Sequence, residues 1–228
     1  MTTFGEIVEP STRSAWEDWD DTIPDVSQQL KWKISLDEQQ NIHSFFICEG
    51  KYLSDCIKNQ AGTKFRIVNA IPEVGLELYS HDDSNKYICT VKDYDIVLSS
   101  EIVCMLQPIL VTCQNVVAIQ MKPIVEYQSS EMAAQDCVMR TVVTSKIPDL
   151  MFGYPRLEQP NLLTGVAAGV ISLREHLNKS AIGILCYVEH PEEFHIMEIQ
   201  KLLRALDVID NVKTNGTNNN ILFTNLYI

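Results

Sequence analysis

Three short apolar runs constrain the fold of this chain more than any other feature. Ser44-Phe45-Phe46-Ile47-Cys48, Asn115–Met121 and Ala181–Val188 are each too short for an ordinary helix and show no polar face. Each therefore reads as a strand covered on both sides, as in a sheet with helices packed on either face. Helical patterns stand between and after them. Lys51–Asn59 follows the first run, and a helix started by Ser99 or Ser100 carries Ile102, Val103 and Leu106 and is expected to end at Pro108. Leu163–Leu177 precedes the third run. Pro191–Leu206 follows it, with Glu192 and Glu193 at its start and Ile196, Ile199, Leu202, Leu203 and Leu206 on one face. Further strands are expected at Leu30–Ile34 from its period of two, at Lys64–Ile71 and at Cys137–Thr144. A hairpin is expected between Leu76–Tyr79 and Tyr87–Val91 across the turn signal His81–Asn85. Strands alternating with helices imply an α/β fold, a three-layer sandwich around a mixed sheet.

The chain divides into an acidic arm at 1–27, an α/β domain at 28–210, and a tether with an apolar tail at 211–228. The arm holds seven acids and one base within its first 25 residues, half of the net charge of −12 in the whole 228-residue chain. Such self-repelling charge argues for a disordered arm, anchored at most by Phe4, Ile7, Trp16 and Trp19. The tether, Lys213–Asn220, is polar and turn-rich and reads as a flexible tether before Ile221–Ile228.

Charge and composition exclude several function classes. An excess of acid argues against gripping a nucleic-acid backbone or an anionic membrane. No run of about 18 apolar residues suggests a membrane span, and no charged-then-apolar leader is expected. Seven cysteines without a Cys-x-x-Cys pair read as free thiols in a reducing compartment, cytosolic or nuclear.

Candidate chemistry is sparse. Cys48-Glu49-Gly50 sits at a strand-to-helix turn, where an α/β enzyme could place a nucleophile, but no histidine partner is evident and a buried structural cysteine is the better reading. Glu189, His190, Glu193 and His195 look faintly like metal ligands, yet they straddle a strand end and a helix start without a His-x-x-x-His pair. No Walker loop, dinucleotide fingerprint or Gly-x-Ser-x-Gly elbow occurs. Gly165 and Gly169, with Ala167 and Ala168, read as a helix face that approaches the sheet closely. The expectation is of no catalytic residue, metal or cofactor. An enzyme of the phosphorylase or hydrolase type is kept as the rival reading, since an α/β sandwich hosts both, and a generic adaptor as a third.

The terminus differs. Leu226, Tyr227 and the Ile228 carboxylate form a three-part plug: an apolar side chain for a groove, a rigid amphipathic phenol, and a charge seeking a cation. Three stretches now point one way. Met1-Thr2-Thr3-Phe4-Gly5-Glu6-Ile7-Val8, the block Leu157-Glu158-Gln159-Pro160-Asn161 with Ala167-Ala168 and Ile184-Leu185-Cys186-Tyr187 after it, and Asn225-Leu226-Tyr227-Ile228 resemble the proteasome assembly chaperone 1 family. That resemblance implies a non-enzymatic three-layer α/β chaperone, paired with a related partner, proteasome assembly chaperone 2. The pair would cap the α-ring of the 20S proteasome and dock Leu226, Tyr227 and Ile228, a hydrophobic-Tyr-X motif, between α-ring subunits. The block Leu157–Asn161 is expected to be structural. The domain is also expected to need its partner, because the apolar runs exceed what one sheet face can use.

Overall fold

Ser44–Glu49, strand β1, shows why an unbroken apolar run becomes a central strand. Its alternate side chains enter two different cores: Phe45 and Ile47 lie in one, Phe46 and Cys48 in the other, and all four are buried. The computed structural model describes residues 30–34, 42–60, 65–81, 85–129, 137–147, 153–189 and 193–209. After β1 come α1 (Lys51–Gln60), β2 (Phe65–Ile71), β3 (Leu76–His81), β4 (Lys86–Val91), α2 (Ser99–Thr112) and β5 (Asn115–Pro123). β6 (Cys137–Val143), α3 (Gly165–His176), β7 (Ala181–Val188) and α4 (Glu193–Ala205) follow.

Among the described residues, seven strands form one mixed sheet in the order β2-β3-β4-β1-β5-β7-β6. β4, β1, β5 and β7 are parallel. The β2–β3–β4 meander and the edge strand β6 pair antiparallel. Helices cover both faces. On one, α2 and α3 contribute Ile102, Leu106, Val166 and Val170 to a core with Phe45 and Ile47. On the other, α1 and α4 contribute Leu53, Ile57, Ile199, Leu202 and Leu203 beside Phe46 and Cys48. Burying one such side chain contributes roughly 1.5–3 kcal/mol. The three-layer α/β sandwich expected from the runs is the fold observed.

The differences have physical causes. Pro108 does not end α2, which continues to Thr112. The ring forgoes one bond to the Cys104 carbonyl, but Ile109 and Leu110 just beyond it are buried and hold the last turn to the sheet. Thr112 Oγ1 also donates to the Pro108 carbonyl at 3.0 Å. Neither Ser99 nor Ser100 caps α2: the residue before the helix is Leu98, without a side-chain cap, and the Ser99 hydroxyl donates back to the Ile96 carbonyl. Residues 30–34 form no strand. Leu30 and Trp32 pack into the α2–α3 core, the Trp32 indole N–H donates to the Met105 carbonyl at 3.2 Å, and the Leu30 amide donates to Glu101 at 2.9 Å. The segment then clasps the edge of β2, where the Ile34 amide donates to Asn69 Oδ1 at 3.0 Å and Asn69 Nδ2 donates to the Ile34 carbonyl at 2.6 Å. An exposed sheet edge is thereby partly closed.

The two glycines of α3 serve different close contacts. A Cβ on Gly169 would lie 2.8 Å from a Val103 methyl of α2, whereas one on Gly165 would meet Glu49 at the end of β1, so the expected close approach to the sheet holds at Gly165 and is replaced by a helix–helix contact at Gly169. The apolar surplus expected to meet a partner is likewise spent inside, because the parallel strands are covered twice. Among the described residues, four of the eight exposed large apolar side chains lie in the connections at the carboxyl end of the parallel strands. Ile96 and Val97 follow β4, Val125 follows β5 and Leu162 precedes α3.

Candidate functional site

β1 leaves the sheet at Glu49 and turns at Gly50, whose φ of 125° admits the bend into α1. Its connection runs to one face, while β4 reaches α2 on the other. The crevice at the carboxyl ends of these neighbouring strands is therefore a topological switch point, where open α/β sheets ordinarily hold a ligand. Here the protein fills it with its own groups. Glu49 is buried, and its Oε2 accepts the Ala167 amide of α3 at 2.9 Å. The Tyr94 hydroxyl donates to Glu49 Oε1 at 2.5 Å and accepts the Val166 amide at 2.9 Å. Burial first, and then the bond to Glu49, push the Tyr94 phenol up to about 12. From β5, Gln120 Nε2 donates to the Thr164 carbonyl at 3.0 Å.

This latch satisfies two of the amides that every helix leaves open at its start, and it sets a carboxylate at the positive end of the α3 dipole. A phosphate bound in this crevice would need the same two amides. They are occupied, which disfavours a phosphorylase-type site. Inorganic phosphate at millimolar concentration is expected to leave the melting temperature unchanged relative to chloride at equal ionic strength. A rise of several degrees would show that the amides are open to an outside anion.

Cys48, one residue earlier, is fully buried, and burial followed by the nearby Cys56 raises its thiol to about 12. Almost no thiolate exists there at neutral pH, so the strand-to-helix turn presents no nucleophile.

A second cluster fixes the Leu157–Asn161 block. Arg140 Nε donates to Glu158 Oε2 at 2.8 Å, Tyr127 donates to Glu158 Oε1, and the Arg140 guanidinium lies 5.1 Å over the Tyr127 ring. Burial raises the Glu158 carboxyl, but the bonds from Arg140 and Tyr127 outweigh it and hold it below the usual range. Asn161 completes the turn by accepting the Gln128 amide at 2.8 Å and donating to its carbonyl at 2.6 Å. Glu158 and Asn161 are thus both bonded within the protein and hold the block between 127–128 and β6, while Gln159 is exposed.

The residues expected to carry function lie elsewhere. Leu226, Tyr227 and Ile228, and Phe4, Ile7, Trp16 and Trp19, fall outside the described residues. So does His190, and the side chains of Glu193 and His195 are not among those described. Among the described residues no group of three His, Cys, Asp or Glu could hold a metal ion, and no helix is long and apolar enough to cross a membrane. The latch of Glu49, Tyr94 and the α3 amides was missed from the sequence. Its one local signal is an acid closing an apolar strand immediately before a glycine.

No family model matches the chain, and no curated protein matches its sequence. Solved structures do share its fold. Two crystal forms of PbaA from Pyrococcus furiosus, described as an archaeal homolog of proteasome-assembly chaperone, superpose with TM-scores of 0.56 and 0.57 at 10% identity. They cover 81% of this chain and 88% and 84% of those chains. A protein of unknown function from Thermoplasma acidophilum gives a TM-score of 0.55 at 12% identity over 75% of this chain and 78% of its own. At such identities the likeness is one of fold.

Proposed function

We propose that this chain is a non-enzymatic assembly chaperone for the 20S proteasome, of the proteasome assembly chaperone 1 family, and works in the cytosol or nucleus. The observation that carries the reading is a conjunction. The chain has the fold of PbaA, a protein described as an archaeal homolog of proteasome-assembly chaperone, and it ends in Leu226-Tyr227-Ile228. The self-filled crevice supports it, since the Val166 and Ala167 amides at the usual α/β ligand site are bonded to Tyr94 and Glu49.

In this reading the domain is a rigid body that presents the tail. The described chain reaches residue 209 beside the start of β4, where Lys86 pairs with Asp207. Residues 210–228 could then span roughly 60 Å when extended, enough to carry the tripeptide well clear of the domain. Leu226 and Tyr227 fill a groove between α-ring subunits, and the Ile228 carboxylate pairs with a cation on the ring. A related subunit, proteasome assembly chaperone 2, completes a heterodimer, and the exposed Ile96, Val97, Val125 and Leu162 are apolar surface suited to such a contact.

The test is α-ring affinity for three forms of the chain. Losing a buried aromatic anchor commonly costs about 2 kcal/mol, close to thirtyfold in affinity. Tyr227→Ala should weaken binding by about that factor, with the circular dichroism spectrum unchanged. A single glycine added after Ile228 should weaken it as well by displacing the carboxylate. Equal affinity in all three would sink tail docking.

A further inference from the structure

Three connections at the carboxyl end of the parallel strands are bonded to one another. The Tyr94 hydroxyl, in the turn after β4, accepts the Val166 amide at the start of α3 at 2.9 Å. Lys122, near the end of β5, donates to the Leu162 carbonyl at 3.0 Å and pairs with Glu126 at 3.7 Å. Asn161 accepts the Gln128 amide at 2.8 Å, and Asp95 holds its own turn by accepting the Val97 amide at 3.0 Å. Turns held in this way are pre-organised, so a partner docking on them forfeits little conformational freedom. On this frame Ile96 is 61% exposed, Val97 78%, Val125 85% and Leu162 67%. Bulky apolar groups kept in water on a rigid frame suit the centre of a protein–protein contact.

The exposed charges beside them have one sign. Asp93 and Asp95 adjoin Ile96 and Val97, and Glu126 adjoins Val125. The lysines nearby are engaged or set aside. Lys92 pairs with Asp55 at 3.2 Å, Lys122 is turned in on Leu162, and Lys51 opens α1 on the other face of the sheet. An apolar centre with an acidic rim disfavours a second copy, which brings the same rim and a net charge of −12. It disfavours an anionic membrane for the same reason. A basic rim on a different chain is its complement.

We propose that this end of the sheet receives a partner chain other than a second copy, one that presents an apolar centre rimmed by lysine and arginine. Under the heterodimer reading above, on which its identity rests, that chain is the related subunit. Val97 and Val125, the most exposed of the four, are the anchors that supply affinity. Asp93, Asp95 and Glu126 steer the approach and reject copies of this chain. The face therefore selects its partner by charge and holds it by apolar contact.

The experiment measures binding of the full chain to purified proteasome assembly chaperone 2 by surface plasmon resonance, at low and high salt. Val97→Asp combined with Val125→Asp should weaken binding about tenfold or more. The melting temperature of that variant should match the wild type, since both side chains lie in water. Asp93→Lys combined with Glu126→Lys should slow association severalfold at low salt and flatten its salt dependence. Full binding by the apolar variant would overturn the proposal while the heterodimer reading stands. An association rate that neither the rim variant nor salt alters would also overturn it, by removing the basic rim. A wild type that ignores the subunit would sink both readings. Sedimentation of the chain alone is the last arm: a dimer that Val97→Asp dissolves would assign the face to a second copy, against the proposal.

Discussion

Arg174→Ala should lower the stability of the domain by about 3–5 kcal/mol, the cost of removing one side of a buried charged interaction. For a domain of this size that is a fall of about 10 °C in melting temperature. Arg174 is fully buried in α3, and among the described residues no carboxylate meets it. Backbone carbonyls carry the charge instead. Nη1 donates to Leu110 at 2.7 Å and to Cys113 at 3.0 Å, Nη2 donates to Gln114 at 2.8 Å and to Ser180 at 2.7 Å, and Nε donates to Ser180 at 3.1 Å. Two of these acceptors lie at the C-terminus of α2, the negative end of its dipole. The side chain therefore ties the end of α2, the start of β5 and the start of β7 to α3. Desolvation lowers its pKa, yet a guanidinium remains charged across the accessible range. Removing it strands several buried carbonyls, each worth about 1–3 kcal/mol when left unpaired, and opens a void. Arg174→Lys should recover only part of the loss, since one ammonium cannot span the planar fan of acceptors. Thermal unfolding of the three forms measures this. A loss under about 1 kcal/mol for Arg174→Ala would mean that water takes over the carbonyls without penalty.

The same residue marks the limit of what is legible in the sequence. The strands were readable because double coverage forces continuous apolar runs, and β1, β5 and β7 are central and parallel as those runs imply. Each face of β1 meets a different core, so no polar position remains to obscure the period. Arg174, by contrast, carries no local sign of being buried. Its burial depends on carbonyls 60 to 64 residues earlier, about which local pattern says nothing. Pro108 misled for a related reason, because propensity places a helix end where tertiary packing of Ile109 and Leu110 carries the helix on. The spacing of Gly165 and Gly169 was visible, but the helix–helix contact of Gly169 was not, since its neighbour Val103 is set by how two helices cross. The candidate site divides the same way. The terminal tripeptide is readable as a motif, whereas the Glu49 latch spans 118 residues and appears only once the sheet and α3 are assembled.

That latch makes a sharp test of the crevice at Gly165. The first residue of α3 has a φ of 64°, a left-handed conformation that costs an alanine about 1–2 kcal/mol. A Cβ there would also press inside contact distance of both Glu49 Oε1 and the Tyr94 hydroxyl. Neither can yield freely, because Glu49 is held by the Ala167 amide and Tyr94 by the Val166 amide. Gly165→Ala should therefore break one or both bonds and cost about 3 kcal/mol, combining backbone strain with a lost helix cap of about 1 kcal/mol or more. Glu49→Ala alone should cost less, since it exposes the amides without straining the backbone. The double variant discriminates. If the clash with the latch is the cause, Gly165→Ala should cost distinctly less in a Glu49→Ala background, giving a coupling of about 1 kcal/mol or more between the two positions. If backbone conformation alone is responsible, the two effects will add. If the chain docks on the α-ring by its tail as proposed, ring affinity should be the same in all folded forms, because the described chain reaches residue 209 at the opposite end of the sheet, near Lys86. A latch variant that keeps its fold yet loses ring affinity would move the docking surface to this crevice.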